Sequence, residues 1–365
     1  MYDAIIIGAR CAGSPLGMLL ARAGHRVLVV DRATFPSDAL STHAVTGDAP
    51  ERIARWGLWD RVTARTEPTQ GTRFGVQGQV FDIPGVSVSP RRTVLDKILV
   101  DAAREAGAEV REGFSVSKLL RDASGAICGI EGRGSDGETV TERARIVIGA
   151  DGRNSLVAKE VAPEEYNAIA GITCGYYSYF EGYPHDNRIE VHFGDGLACF
   201  VFPTSDGQVC LGTEHRDSDW EALRADTEGE VARSFERLGL GEAYARAKRV
   251  EEWRGVLRPA GYFRKPFGPG WALVGDAGYL KDPILGQGIN DAFRDAELLA
   301  NALHAAWKGE TPLEVALGGY QQARDGASGG VYALNHEFSK LAVTPGHVQM
   351  LVAGIEMMKQ QAAAG

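Results

Sequence analysis

Three glycine-bearing turns in this chain have the residue types and spacing that a large dinucleotide would need. The first is Gly8-Ala9-Arg10-Cys11-Ala12-Gly13, followed by Asp31. A glycine turn presents backbone amides to phosphate. An acid at the end of the next strand accepts from a ribose hydroxyl. The second is Ala150-Asp151-Gly152. The third is Gly275-Asp276, with Pro283 and Gly286-Gln287-Gly288-Ile289-Asn290 just beyond it. A dehydrogenase with a single nicotinamide dinucleotide has no need of the third turn. Candidate acid–base groups are sparser: His43 in the loop after Asp31, and His192 and His215 further on. A lone histidine is the side chain best able to change charge near neutral pH.

The elements that must position these groups are legible around them. Ala4-Ile5-Ile6-Ile7 is an apolar run suited to a strand buried on both faces. Leu16, Leu19, Leu20 and Ala23 share one face of a helix that Gly24 ends. Val27 to Val30 is a second buried strand. Together they form a βαβ unit with Asp31 at its tip. Arg10 stands where the dinucleotide pattern has its middle glycine, and its side chain is expected to lie over the pyrophosphate. Cys11 is expected to pack beneath the helix start as a small apolar residue. Strands are expected over 71–90 and a helix from Arg92 to Ala106, stopped by Gly107. Short strands should surround Val110, 116–120 and 127–131, and a buried strand should run from 144 into Asp151. Gly132-Arg133-Gly134-Ser135-Asp136-Gly137 spells the dinucleotide pattern letter for letter, yet it opens no helix and reads as a surface turn. The 171–213 stretch is strand-rich and aromatic, with a hairpin turn at 205–207. Within it Tyr177 and Tyr179 alternate with Ser178 and Phe180, so one pair faces a pocket. Residues 220–248 look helical. Trp271 to Val274 is a strand, Gly288 opens a long helix, and two or three helices finish the chain from about 313, with a frayed tail at 360–365.

Composition bounds the classes. The chain has 365 residues, 44% of them hydrophobic, enough for one large or two medium domains. A net charge of −9 argues against a general nucleic-acid or anionic-membrane surface. No run approaches the ~20 apolar residues of a membrane helix. The opening apolar run belongs to the βαβ unit and is not a signal peptide. The five cysteines are scattered with no Cys-x-x-Cys pair, so a cytoplasmic setting is expected. No metal-ligand cluster stands out.

With all three turns in view, the chain resembles the class A FAD-dependent aromatic hydroxylases, the flavoprotein monooxygenases of the p-hydroxybenzoate hydroxylase type, and is related to the geranylgeranyl-reductase-like flavoproteins. The resemblance covers most of the chain to about Ala306. It implies an α/β fold: a discontinuous Rossmann-like FAD-binding domain over 1–70, 91–165 and 260–310. A smaller β-sheet substrate domain would span 71–90 and 166–259, with C-terminal helices at 311–365. It places Gly8, Arg10, Cys11, Ala12 and Gly13 at the pyrophosphate, and Asp31 with Arg32 at the adenosine ribose. Arg92 would reach the FAD backbone, and Asp151 would lie near FAD and the incoming nicotinamide. Gly275 and Asp276 would hold the ribityl chain. Pro283, Gly286, Gly288, Ile289 and Asn290 would run along the isoalloxazine edge. His43 and Pro283 are the candidates for catalytic contact.

The activity implied is monooxygenation: NAD(P)H reduces FAD, O2 adds to the reduced ring, and an apolar or aromatic small molecule is oxidised. The alternative is reduction of an isolated C=C bond, as in the geranylgeranyl reductases. A halogenase ranks lower, because no lysine precedes Lys97 and a Trp-x-Trp-x-Ile-Pro stretch is absent. A flavoprotein kept only as a scaffold or sensor would show FAD without turnover.

Overall fold

The computed structural model describes residues 1–41, 43–135 and 137–354 in full and carries the backbone to Ala364. Thr42, Asp136 and the side chains of 355–365 lie outside the described residues, and with them the expectation for the 360–365 tail.

The chain opens with β1 (Tyr2–Ile7), α1 (Gly13–Arg22) and β2 (Val27–Val30), then α2 (Ala49–Arg55), α3 (Trp59–Thr63), β3 (Thr69–Val76) and β4 (Gln79–Ser87). Next come α4 (Arg92–Glu105), β5 (Glu109–Arg111), β6 (Ser115–Arg121), β7 (Ile127–Arg133), β8 (Thr139–Gly149) and α5 (Leu156–Val161). Strands β9 (Glu165–Ile169), β10 (Thr173–Glu181), β11 (Ile189–Gly194), β12 (Leu197–Pro203) and β13 (Val209–Arg216) follow. Helices α6 (Trp220–Ala225), α7 (Thr227–Arg237) and α8 (Gly241–Arg246) lead to short strands β14 (Lys248–Arg249), β15 (Arg254–Leu257), β16 (Gly261–Arg264), β17 (Phe267–Gly268), β18 (Trp271–Leu273) and β19 (Tyr279–Leu280). The chain ends in α9 (Gly288–Trp307), α10 (Leu313–Ser339) and α11 (Pro345–Ala364).

Two large sheets organise these elements. The first runs β17-β18-β8-β1-β2-β5, with the β6–β7 hairpin paired onto β8. Strands β18, β8, β1, β2 and β5 are parallel neighbours, the doubly wound arrangement the opening βαβ unit predicts. Its apolar runs serve two cores because successive side chains point to opposite faces. Ala4, Ile6, Val27, Val29, Ile146 and Ile148 face α1, α4 and α9. Ile5, Ile7, Leu28, Val30 and Val147 face Phe114, Leu119 and Ile130. Each such side chain, fully buried, contributes roughly 1.5–3 kcal/mol.

The second sheet runs β14-β10-β13-β12-β11-β3-β4, with β15 also on β10. Its aromatic content is two-sided. Tyr177, Tyr179, Phe200 and Phe202 face one core with Phe338 of α10, while Phe180 and Leu211 face the other under α7. Tyr177 and Tyr179 thus share one core, but only Tyr177 of the two reaches the cavity, where Tyr176 joins it. A third, small sheet, β19-β16-β9, lies beside α10.

The second copy of the dinucleotide pattern is a hairpin. Gly132 and Arg133 belong to β7 and the amide of Gly137 donates to the carbonyl of Gly134 at 3.0 Å, while Asp136 is outside the described residues.

Candidate active site

Where the parallel strands end, a cavity of about 700 Å³ opens between the first sheet and the pocket face of the second. Ligands of open α/β sheets sit at the carboxyl ends of the strands, and this cavity does too. Its floor is the tips of β1, β2 and β8 and the turn after β18; its far wall is β10, β12, β13 and β15.

The nucleotide end is built by the first turn. Gly8 has φ +103°, and a Cβ there would stand 2.4 Å from the carbonyl oxygen of Ala150. A Cβ on Gly13 would stand 1.8 Å from the carbonyl of Gly8. Both positions require glycine for close approach of backbone to backbone. α1 then starts with no side-chain cap and no acid in its first turn; the Ser14 amide is taken by the Arg10 carbonyl at 3.1 Å and Pro15 has no N–H, which leaves the Ala12 and Gly13 amides for an anion. Asp31 fixes the turn: one carboxylate oxygen accepts from the Ala9 amide at 2.7 Å, the other from the Ala33 amide at 2.8 Å. Each oxygen keeps a lone pair for the cavity it lines.

Arg10 and Arg92 meet on the buried carboxylate of Asp96, to which the Cys11 thiol also donates at 3.4 Å. Arg10 further donates to Ser37 Oγ at 3.0 Å and to the Asp38 carbonyl at 3.2 Å. Its side chain lines the cavity but is tethered to α4 and to the loop after β2, a different use from lying free over a pyrophosphate. Asp151 lines the same region; one oxygen accepts from the Leu156 amide at 2.7 Å while Oδ1 is buried without a partner. Burial pushes its carboxyl up. Asp276 is open to the cavity, and the protein walls around that space push its carboxyl up to about 6 against the pull of Arg92.

At the other end, Pro283 opens a tight turn whose preceding Asp282 accepts from the Ile284 amide at 3.0 Å. Pro283, Gly286, Gly288 and Ile289 all reach the cavity, and the first amides of the uncapped α9 point the same way. Lys281 is buried here and pairs with Asp291 of α9. The far wall is largely aromatic and aliphatic, with Tyr176, Tyr177, Phe200 and Val256, interrupted by Thr213 and Glu214.

Most of the residues singled out from sequence thus share one cavity: Gly8, Arg10, Cys11, Ala12, Asp31, Arg32, Arg92, Asp151, Gly275, Asp276, Pro283, Gly286, Gly288 and Ile289. Three do not line it. Gly13 packs behind the turn. Asn290 spends its side chain tying α9 to the Thr46 amide and hydroxyl at 3.1 and 2.8 Å. His43 is wholly buried, its Nε2 bonded to the Tyr179 hydroxyl at 2.5 Å and its Nδ1 without a partner. Burial, aided by Arg92, lowers its imidazole to about 3, so it is neutral at ordinary pH. His192 pairs with Glu190 at 2.8 Å, and His215 lies 3.1 Å from Ser234 Oγ. Sequence reasoning passed over Lys281, Asp282 and Glu214. The available signal was charge set inside apolar stretches: Lys281-Asp282 beside Pro283, and Glu214 within β13.

The loop after β2 is also pinned from the side of the second sheet. Asp38 pairs with Arg91 at 2.9 Å and Arg254 at 3.1 Å, and the Ser41 amide donates to the Tyr177 hydroxyl at 3.1 Å. Arg91 lies 3.5 Å over the Tyr179 ring.

Uncapped helix starts at both ends, the Asp31 carboxylate at the tip of β2 and an unpartnered buried Asp151 oxygen fit a long, flexible dinucleotide. Residues 1–175 match the family model described as FAD binding domain. Digeranylgeranylglycerophospholipid reductase 2 of Methanopyrus kandleri is 29% identical over 301 residues, covering 79% of this chain and 73% of the relative. Menaquinone reductase of Mycolicibacterium smegmatis is 27% identical over 335 residues, covering 82% and 76%. Among solved structures, PqsL, a probable FAD-dependent monooxygenase from Pseudomonas aeruginosa, superposes with a TM-score of 0.77 at 23% identity, over 97% of this chain and 99% of that one. The myxobacterial chondrochloren halogenase CndH gives 0.84 at 23%, over 98% and 90%. The solved structures share the fold; the curated relatives share sequence along most of the chain. The chain is an FAD-dependent oxidoreductase with the architecture common to the flavin monooxygenases, the flavin halogenases and the geranylgeranyl-reductase-like flavoproteins. Among the described residues no helix is long and apolar enough to cross a membrane.

Proposed function

We propose that this chain reduces a carbon–carbon double bond in an apolar isoprenoid substrate. When bound, reduced FAD supplies the hydride equivalent, and NAD(P)H is the reductant that replenishes it. Gly8, Ala12 and the α1 amides would hold the pyrophosphate, with Asp31 at the adenosine ribose. Arg92 would neutralise the cofactor's phosphates, and Asp276 would accept from the ribityl hydroxyls. Pro283 and the Gly286–Ile289 stretch would flank the ring. The Tyr176, Tyr177, Phe200 and Val256 wall would exclude water and pack against the substrate.

The observation that carries this reading is the chemistry of that wall. Hydroxylation of a phenol calls for a group that draws off the phenolic proton. His43, the candidate from sequence, is buried behind Tyr179 and neutral, and no histidine lines the cavity among the described residues. Reduction of an alkene needs no base. It needs an apolar chamber, a hydride and a proton. The activities the relatives are named for, reduction of digeranylgeranylglycerophospholipid and of menaquinone, favour the same choice.

Monooxygenation is the second reading, supported by the Gly286-Gln287-Gly288-Ile289-Asn290 stretch, which resembles the hydroxylases, and by the fold shared with PqsL. One experiment separates the two. The FAD-loaded protein is reduced with one equivalent of dithionite under argon and mixed with digeranylgeranylglycerophospholipid in detergent, a substrate with C=C bonds and no quinone ring. A product heavier by two hydrogens without oxygen supports reduction. A product that forms only in air and gains an oxygen atom supports the second reading.

A further inference from the structure

Two carboxyl groups not assigned to FAD above meet where β13 passes the turn ahead of α9. Glu214 is 6% exposed, lines the cavity, and its Oε1 is buried without a hydrogen-bond partner. Asp282 is 8% exposed and precedes Pro283 directly. The two are unequally served. Asp282 receives the Thr173 hydroxyl at 2.7 Å and the Ile284 amide at 3.0 Å. Glu214 shares the Thr173 hydroxyl but has no backbone amide and no cation among its partners. Burial pushes its carboxyl well above the usual range, the charge of Asp282 pushes it further, and it hydrogen-bonds to Asp282. Burial raises Asp282 as well, but the bonds from Glu214, Thr173 and Ile284 oppose that rise. Where two buried carboxyls share a site, one proton stays between them, on the member with fewer donors. That member is Glu214.

Asp282 has a second side. It borders a small surface pocket together with Asn335 and His336 of α10, and the Asn335 amide donates to its main-chain carbonyl at 3.1 Å. The carboxyl pair therefore spans from the protein surface to the cavity wall. The groups packed around it are Thr173 and Cys174 on β10, Lys281 with its partner Asp291 on α9, and His336 on α10.

We propose that Glu214 is the proton donor to the substrate and that Asp282 refills it from the surface pocket. The proposal rests on the reduction reading above. The π bond of the substrate breaks as a hydride equivalent from reduced flavin, carrying two electrons, forms a C–H bond at one alkene carbon. The Glu214 O–H bond breaks, and its proton forms the C–H bond at the other carbon. Asp282, a carboxylate until then, takes a proton from a hydronium ion in the surface pocket, leaving water, and passes it to the Glu214 carboxylate, which restores the starting pair. The alkene gains two hydrogens and the flavin ends oxidised, so atoms and electrons balance.

The test uses FAD-loaded wild-type protein and Glu214→Gln, with Glu214→Asp as the variant that keeps an acid. Infrared spectra at pH 7 should show a protonated-carboxyl stretch that shifts in D2O and is missing from Glu214→Gln. This readout does not depend on turnover. In anaerobic single turnovers with digeranylgeranylglycerophospholipid, Glu214→Gln should slow alkene reduction by about 10²-fold or more, the usual contribution of a general acid. Reduction of the bound flavin by NAD(P)H should stay at the wild-type rate, and Glu214→Asp should recover much of the loss. Identical infrared spectra, or unimpaired alkene reduction in Glu214→Gln, overturns the donor. Wild-type protein that reduces no alkene overturns the reading beneath it, and the donor falls with that reading for a distinguishable reason.

Discussion

Replacing Asp96 with asparagine removes a single negative charge from beneath the nucleotide end of the cavity while keeping the side chain's shape. The Asp96 side chain is 0% exposed. Arg92, only 10% exposed, gives it Nε at 3.0 Å and Nη2 at 2.9 Å. Arg10, 27% exposed, gives it Nη1. Among the described residues, neither arginine has a second carboxylate within ion-pair distance. In Asp96→Asn the Arg92 guanidinium is left buried and unpaired, which costs about 3–5 kcal/mol. Arg10 keeps its bonds to Ser37 and the Asp38 carbonyl and is partly hydrated, so its loss is that of a surface pair, about 0.2–1 kcal/mol. Urea unfolding of the FAD-free protein should therefore show a stability lower by about 3–5 kcal/mol with an unchanged m-value.

The companion variant Arg92→Met separates the pair from the charge it leaves behind. If the cost in Asp96→Asn is a stranded guanidinium, adding Arg92→Met should return much of the loss. The double variant should then be more stable than the sum of singles predicts by about 2 kcal/mol. Additive singles, or a loss in Asp96→Asn below about 1 kcal/mol, would refute the reasoning. Either result would mean that Arg92 finds another anion or water on the cavity side.

Three further outcomes follow from the same geometry. The His43 imidazole sits near 3 when folded, below its ordinary value, and takes up a proton only on unfolding, so its contribution is complete above about pH 6.5 and is lost as pH falls toward 3. From pH 6.5 to 5 the wild type should lose about 2 kcal/mol more than His43→Phe, and equal losses would place a charged imidazole in the folded protein. Asp276→Ala should weaken FAD binding about ten-fold or more, the worth of one charge-assisted hydrogen bond, and an unchanged dissociation constant by flavin fluorescence would remove Asp276 from the ribityl chain. Arg324 is 0% exposed and donates to the carbonyls of Gly278 and Arg264 at 3.2 and 3.0 Å and to the Tyr166 hydroxyl at 2.7 Å; Arg324→Met should cost about 3–5 kcal/mol in urea unfolding, and a change below about 1 kcal/mol would show those acceptors hydrated.

What could be read ahead of the structure was whatever neighbours in sequence enforce. Ile5 to Ile7 and Val27 to Val30 announce buried parallel strands because both faces must be apolar, and they do feed two cores. The helix from Arg92 and the long helix from Gly288 follow from 3.6-residue periodicity. What escaped was set by long-range pairing. β3 joins the second sheet by lying parallel to β11, more than a hundred residues away, and nothing local specifies that register. The same holds for the site. Glu214 and Asp282 are separated by a long stretch of chain, and only the passage of β13 over the α9 turn brings them together. His43 was expected to touch flavin or substrate, but its ring is held behind the cavity wall by Tyr179, contributed by a distant strand.

The departure at position 10 is the instructive case, because it separates two reasons for a glycine. At Gly8 the backbone itself needs a positive φ and bare space, and substitution there collides with Ala150. Arg10 has no positive φ, so its backbone accepts a side chain without strain. The middle glycine of a dinucleotide turn is then a matter of room for the ligand, not of conformation. Arg10 uses that room to reach Asp96 on α4 and Ser37 and Asp38 in the following loop. Arg91 and Arg254 seize Asp38 from the side of the second sheet, and the loop carries on to Ser41, bonded to Tyr177. One residue in the nucleotide turn is thus linked through a single loop to the aromatic wall. A charge change at Arg10 should therefore be felt at the substrate end as well as at the phosphates, which a glycine in that place could never do.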